Sequence, residues 1–322
     1  MDDEAVTTPV MLDDEQVTAL TPWPALIDAI RDAFRAGGIA PPRHAHSVPG
    51  EGREDISLLL MPAWSKDGDF GVKLAIIAPS NVEFGVPRLA SSYVLFSGKT
   101  GLPKAVLDAG ALTARRTAAA SALASRYLSR EDSKTLLVIG TGRAAGQLIP
   151  AHAAVRPIEE VRIWGRNPKN AAKSADAARA ETGLNVVVAE DLERAADGTD
   201  IVTVATLAET PLIRSSWVRP GMHIDLVGAF KPTMCEADAG TIAMADQVYV
   251  DTMEGAMDEA GDLIQAAEAG KFSFEDVTGD LYQLSAGDDL LRRSDEEITI
   301  YKSVGVALQD LAAAELCLRG HT

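Results

Sequence analysis

Gly140-Thr141-Gly142-Arg143-Ala144-Ala145 follows the apolar run TLLVI and opens a helix-forming stretch, the pattern of a loop that holds a diphosphate. Gly140 permits a tight turn, Gly142 lets the backbone approach a pyrophosphate, and the small Ala145 lets the helix pack closely on the strand. Such a helix start presents unpaired N–H groups and the positive end of its dipole to the phosphates, with Thr141, Arg143 and Ala144 completing the loop. The end of the next apolar run bears on which dinucleotide is used. An NAD enzyme places Asp or Glu there to accept from the ribose hydroxyls, whereas this chain has Trp164-Gly165-Arg166-Asn167, with Lys169 close behind. Arg166, flanked by Asn167, suits a 2′-phosphate, so NADP(H) is preferred and NAD(H) is the alternative. The plainer reading of Arg166 is a loop arginine facing solvent.

Two further cations stand among apolar residues. In the Ala-rich helix Thr113–Arg130, Arg115 and Arg116 project about 100° apart. The face of Arg115 continues through Ala119, Ala122, Arg126 and Ser129, which is compatible with water. That of Arg116 continues through Ala119, Ala120, Leu123 and Tyr127, and a guanidinium there needs an anion. A structural Asp or Glu and a bound ligand both meet that need. Lys73, in FGVKLAIIAP, shares a strand face with Gly71, Ala75 and Ile77; it lines a pocket or serves as an edge-strand solubility device.

The elements around these residues divide into two kinds. From about residue 119 to 304, short β-branched runs alternate with helical stretches: Thr135–Gly140, Val161–Gly165, Asn185–Ala189, Asp200–Thr206, His223–Gly228 and Gln247–Asp251. Helices such as Arg143–Val155 and Pro168–Thr182 separate them, which predicts a Rossmann doubly wound parallel sheet in an α/β protein. Residues 1–118 instead offer ISLLLMPAW, FGVKLAIIAPS and ASSYVLFSG between Gly/Pro-rich turns, a mostly antiparallel sheet in a second, α+β domain. The last helix, about 305–322, is expected to return to that domain.

At 322 residues the chain has room for both domains. A net charge of −17 argues against a nucleic-acid partner, whose phosphates require a basic surface. No apolar run reaches membrane-spanning length, and the acidic MDDEAVTTPVMLDDEQV is unlike a signal peptide, so a cytoplasmic protein is expected. The five histidines form no metal-binding pattern, and Cys235 and Cys317 are too scattered for zinc, so no metal is expected. Core packing suits Cys317; a nucleophilic role for Cys235 would lack a nearby histidine.

Taken as a set, PPR (Pro41–Arg43), LMPA (Leu60–Ala63), GVKL (Gly71–Leu74), RTAAAS (Arg116–Ser121), GTG (Gly140–Gly142), EAGDL (Glu259–Leu263) and YKSVGVALQDLAAA (Tyr301–Ala314) resemble the ornithine cyclodeaminase/mu-crystallin family. The resemblance covers nearly the whole chain. It implies that Arg43, Lys73 and Arg116 hold the carboxylate of an imino- or amino-acid substrate, and that Thr206, Val227, Gly228, Lys302 and Ser303 lie in segments lining the nicotinamide. It also implies a homodimer paired through the substrate domains.

One departure from the family pattern bears on the reaction. Cyclodeaminases carry G-x-D-x-P after the fifth Rossmann strand, and their aspartate serves the substrate's amino groups. Here the segment reads Gly228-Ala229-Phe230-Lys231-Pro232, with Phe230 in the aspartate's place. Together with Arg166 this favours net reduction of a cyclic ketimine, pyrroline-2-carboxylate or piperideine-2-carboxylate, to L-proline or L-pipecolate. Lys73 then acts as proton donor or as carboxylate partner. The alternatives are ornithine cyclodeaminase with recycled NAD and a non-catalytic, mu-crystallin-like binding protein.

Overall fold

The computed structural model describes residues 8–66 and 68–321, so the acidic N-terminal segment weighed above lies partly outside the described residues. The chain forms two units, one running to Arg116 and resuming at Val306, the other spanning Thr117–Gly305. The division falls inside a single helix, Ala109–Leu128.

The first unit contains β1 (Val10–Leu12), β2 (His44–Val48), β3 (Ile56–Trp64), β4 (Phe70–Ile77), β5 (Leu89–Phe96) and β6 (Pro103–Asp108). They form one sheet in the order β1-β6-β5-β4-β3-β2. Every pairing is antiparallel except that of β1 with β6. Alternation along β4 sends Gly71, Lys73 and Ala75 to the buried face, while Phe70, Val72, Leu74 and Ile76 turn to the more exposed one. Helices Trp23–Arg35 and Ala307–His321 pack against each other, and the latter lies on β3, β4 and β5. Lys73 therefore sits 3% exposed in a strand paired on both sides, and the edge-strand reading fails.

The second unit holds β7 (Thr135–Ile139), β8 (Glu160–Trp164), β9 (Asn185–Val188), β10 (Ile201–Val204), β11 (His223–Leu226), β12 (Gln247–Val250), β13 (Val277–Asp280) and β14 (Thr299–Lys302). All run parallel in the order β13-β12-β14-β11-β10-β7-β8-β9. This is a Rossmann sheet whose strand order reverses at β7 and β10, where ligands bind in such folds. Apolar clusters cover both faces: Leu137, Ile139, Val202 and Leu226 belong to one, Leu136, Val138, Val161 and Ile201 to the other. That two-sided burial is why these runs are continuously apolar rather than alternating. The six expected strands are present, each ending one or two residues earlier than expected. The sequence reading missed β13 and β14; β14 inserts between β11 and β12, a placement set by long-range pairing.

A polar cluster is buried inside this unit. The Thr203 hydroxyl donates to Asp225 Oδ2 at 2.6 Å, and His152 Nε2 lies 3.8 Å from the same oxygen. His152 Nδ1 sits 2.9 Å from the Leu148 carbonyl, which only accepts, so the Nδ1–H donates and Nε2 is the bare lone pair of a neutral ring. Burial pushes the His152 imidazole down to about 4 and the Asp225 carboxyl up to about 7, the Thr203 bond opposing the latter. A carboxyl whose pKa rises on folding contributes its stability below its unfolded value, and that contribution is lost as pH climbs through the folded one. Asp225→Asn keeps an acceptor for Thr203 and cannot ionise. It should raise Tm by several degrees at pH 8.5, with the gain fading toward pH 5.5; a pH-independent loss of Tm in thermal melts would contradict this account.

Candidate active site

At the end of β7 the backbone of Gly140 has φ 132°, and an added Cβ would lie 2.5 Å from the Ala205 carbonyl oxygen. Only glycine turns there without displacing the end of β10. Around Gly142, by contrast, an added Cβ would meet nothing within 4 Å, so open space faces this backbone. Gly142 caps the helix Arg143–Ala153, and no side chain bonds to the first amides. The loop thus meets a diphosphate's demands: a close turn, open approach and amide donors without a side-chain cap. Gly165 contributes to the same loop, since a Cβ there would strike Thr141 Cγ2 at 2.4 Å. This requirement was legible only in three dimensions.

The end of β8 divides its expected contacts. Arg166 is exposed and forms no ion pair among the described residues. Asn167 Oδ1 accepts from the Lys169 amide at 3.0 Å and caps the helix Pro168–Thr182. Its oxygen is therefore occupied by the fold.

At the ends of β10 and β11, Thr206 donates through its amide (2.6 Å) and hydroxyl (2.8 Å) to Glu236 Oε1. Burial raises this carboxyl well above its usual range, with Lys302 opposing. Gly228 must be glycine, because a Cβ would come within 2.3 Å of both Glu236 Oε1 and the Thr206 carbonyl. The neighbouring Val227 is also buried. Lys302 was expected in a segment lining the nicotinamide. It is fully buried, ion-paired to Asp262 at 3.0 Å, and donates to the Gly228 carbonyl. A desolvated ammonium needs these partners, which tie Lys302 to the Gly228 loop. Asp251 fixes the next turn, accepting from Ser303 Oγ (3.0 Å), Val304 N (2.8 Å) and Gly305 N (2.6 Å). Glu236, Asp262 and Asp251 were not singled out in sequence; only Asp251, directly after the apolar run QVYV, offered a local signal.

In the first unit, Lys73 and Arg116 come together on one carboxylate. Lys73 Nζ donates to Asp310 Oδ2 at 2.8 Å, Arg116 Nε to Asp310 Oδ1 at 2.9 Å, and Arg116 Nη1 to Gln309 Oε1 at 2.6 Å. Burial pushes the Lys73 ammonium down to about 8; Asp310 opposes the fall, and Arg116 and Arg43 deepen it. Arg43, half-buried ahead of β2, thus belongs to the same electrostatic neighbourhood. The anion demanded by the Arg116 stripe is a structural Asp after all. Its pairing is incomplete, however: two ammonium hydrogens of Lys73 and the Nη2 group of Arg116 have no protein partner among the described residues.

The expectation that Arg115 faces water is wrong. It is 5% exposed, lies 4.0 Å from the Trp23 ring centroid, and donates to the Thr21 hydroxyl (2.6 Å) and carbonyl. The helix Ala109–Leu128 is buried nearly all round, so helical phase does not identify a solvent face. Cys235 is buried, donates to the Ala237 carbonyl at 3.1 Å, and burial pushes its thiol up to about 12, which excludes a nucleophile. Among the described residues no group of three His, Cys, Asp or Glu side chains is disposed to hold a metal. No helix of the described residues is long and apolar enough to cross a membrane.

Fold and site together define a Rossmann-type dinucleotide-binding protein with a second, mixed domain that carries a buried cation cluster. Residues 7–318 match the model of the ornithine cyclodeaminase/mu-crystallin family, and the chain belongs to that family. It is 35% identical to a delta(1)-pyrroline-2-carboxylate reductase of Colwellia psychrerythraea, over 93% of this chain and 95% of that one. Among solved structures, that of Thermococcus litoralis delta(1)-pyrroline-2-carboxylate reductase with NADH and L-proline superposes with TM-score 0.89 at 31% identity, covering 97% of each chain. An archaeal alanine dehydrogenase dimer with bound NAD gives TM-score 0.86 at 30% identity, over 97% of this chain and 95% of that one.

Arg115 and Arg116 should separate on substitution. Arg116→Ala removes one of the cluster's two cations while Lys73 and Asp310 remain paired, and should lower kcat/KM by about 100-fold or more with a modest change in Tm. Arg115→Ala should cost about 1–3 kcal/mol of stability while leaving kcat/KM of the folded protein near wild type. Equal kinetic losses from both would refute this division of roles.

Proposed function

We propose that this oxidoreductase of carbon–nitrogen bonds reduces a cyclic ketimine, pyrroline-2-carboxylate or piperideine-2-carboxylate, to L-proline or L-pipecolate. The observation that carries the reading is the buried pair Lys73 and Arg116, whose remaining donors suit a substrate carboxylate. When bound, a reduced nicotinamide supplies the hydride. Arg116, with Arg43, holds the carboxylate by charge-assisted hydrogen bonds and so fixes the imine carbon's orientation. Lys73, with its pKa near 8, carries a proton at neutral pH. It serves the imine nitrogen as proton donor, or it completes the carboxylate site while solvent protonates the nitrogen.

Phe230 separates this reading from ornithine cyclodeamination. Its ring packs half-buried against the Rossmann core, so the segment after β11 presents no carboxylate at this position for a substrate amine. NADP(H) is the proposed cofactor, supported by exposed, unpaired Arg166 and the lack of an acidic residue at the end of β8; NAD(H) is the alternative, supported by the NAD and NADH of the related structures. A cytoplasmic homodimer completes the proposal. Val72, Leu74 and Ile76 of β4, beside Leu58 and Leu60 of β3, form an apolar face opposite Lys73, and a second copy is its natural cover.

The purified protein should oxidise NADPH when given pyrroline-2-carboxylate or piperideine-2-carboxylate, and should release little ammonia from ornithine. Proline and ammonia from ornithine without net cofactor change would restore the cyclodeaminase reading. Cofactor binding without any turnover would restore the binding-protein reading.

Cofactor choice is tested separately. NADPH should serve at least as well as NADH, and Arg166→Asp should move the ratio of kcat/KM values toward NADH by about tenfold or more, the worth of roughly one charge-assisted bond. A strong wild-type preference for NADH would overturn the role given to Arg166.

A further inference from the structure

Asp310 is fully buried on the helix Ala307–His321, and its two oxygens are divided between cations from two other elements. One holds Lys73 of β4; the other holds Arg116 Nε of the helix Ala109–Leu128. The adjacent Gln309 accepts from Arg116 Nη1 at 2.6 Å, and this contact identifies its other amide atom as the donor nitrogen. That nitrogen, Nε2, is buried without a partner among the described residues. A buried donor left unpaired costs about 1–3 kcal/mol, so this nitrogen, on the amide that holds Arg116, points together with the hydrogens that Lys73 and Arg116 have yet to donate to an anionic ligand. We propose that Asp310 and Gln309 are the positioning residues of the substrate site: they hold Lys73 and Arg116 by one edge each, so that the remaining donors converge on the substrate carboxylate.

This inference rests on the proposed imine reductase. Two carboxylate oxygens hold two cations at a fixed separation, and the Gln309 contact stops the guanidinium plane from rotating about Nε. Without Asp310, two buried cations would repel each other and Lys73 would shed its proton more readily. The groups facing Lys73 are Asp310 from the last helix, Arg116 from Ala109–Leu128, Arg43 ahead of β2, and Tyr93, its register partner on β5. Burial first, then Asp310 and Glu315, raises the Tyr93 phenol well above its usual range, so it stays neutral. Asp310 is the one group among these that favours the charged ammonium.

The test follows the pH dependence of kcat/KM for pyrroline-2-carboxylate, with L-proline binding measured by calorimetry on the same proteins. Wild type should show an alkaline limb near pH 8, the value to which the Lys73 ammonium falls. Asp310→Asn should move that limb down by about one pH unit or more and weaken L-proline binding at pH 8 by about tenfold or more. Gln309→Leu should raise KM while leaving the limb in place. Lys73→Arg cannot titrate in this range and should abolish the limb, a readout that does not depend on the folding of the Asp310 variant. An unmoved limb in Asp310→Asn, a limb that persists in Lys73→Arg, or a pH-independent loss tracking Tm would each overturn the positioning role. Failure of the wild-type protein to reduce any cyclic imine would instead count against the reductase reading itself.

Discussion

Burying one carboxylate between two cations is the constraint on which the first unit depends. Asp310 is 237 residues from Lys73 and 194 from Arg116, so the cluster exists only when the end of the chain returns to the N-terminal sheet. Each of these charges would be costly to desolvate alone, and a missing partner would strand the others. The last helix is therefore as much a part of the site as the strand that carries Lys73. Incomplete pairing then gives the cluster a chemical use, since donors beyond those taken by Asp310 and Gln309 remain for a ligand.

The Rossmann unit applies the same principle to backbone geometry. Lys302, fully buried, is balanced by Asp262 and donates to the Gly228 carbonyl, while Glu236 takes both Thr206 donors. These contacts fix the ends of β10 and β11 at the edge of the switch point in strand order. Gly140 sets the close turn of the dinucleotide loop, and Gly228 makes room for a carboxyl group rather than for a ligand. Two glycines with similar sequence settings thus serve different purposes.

Within a family that includes redox-neutral cyclodeaminases, the difference between lyase and net reductase comes down to how the substrate's nitrogen is treated. A cyclodeaminase must handle free amines and uses an acidic group to do so. Phe230 occupies that place here and packs against the core, which withdraws the acid and adds apolar surface. Under the proposed reaction a ring imine needs its carboxylate held and its nitrogen protonated; the buried cations suit the first, and Lys73 or solvent the second.

The dinucleotide loop, the six principal Rossmann strands and the isolation of Lys73 and Arg116 were legible in the sequence because each rests on local pattern: glycine spacing, apolar runs or helical phase. The identity of the Arg116 partner was not, although Asp310 was a lone acid in the apolar stretch VALQDLAAA and so posed the reciprocal puzzle. Nor did phase reveal that Arg115 is buried, because an Ala-rich helix enclosed on all sides has no water face to betray. Insertion of β14 between β11 and β12, and the use of Lys302 to anchor Gly228, were likewise decided by tertiary structure. Local sequence determines which groups are polar, apolar or turn-forming; which of them meet depends on pairings between residues far apart in the chain, and those are set by the packing of the whole fold.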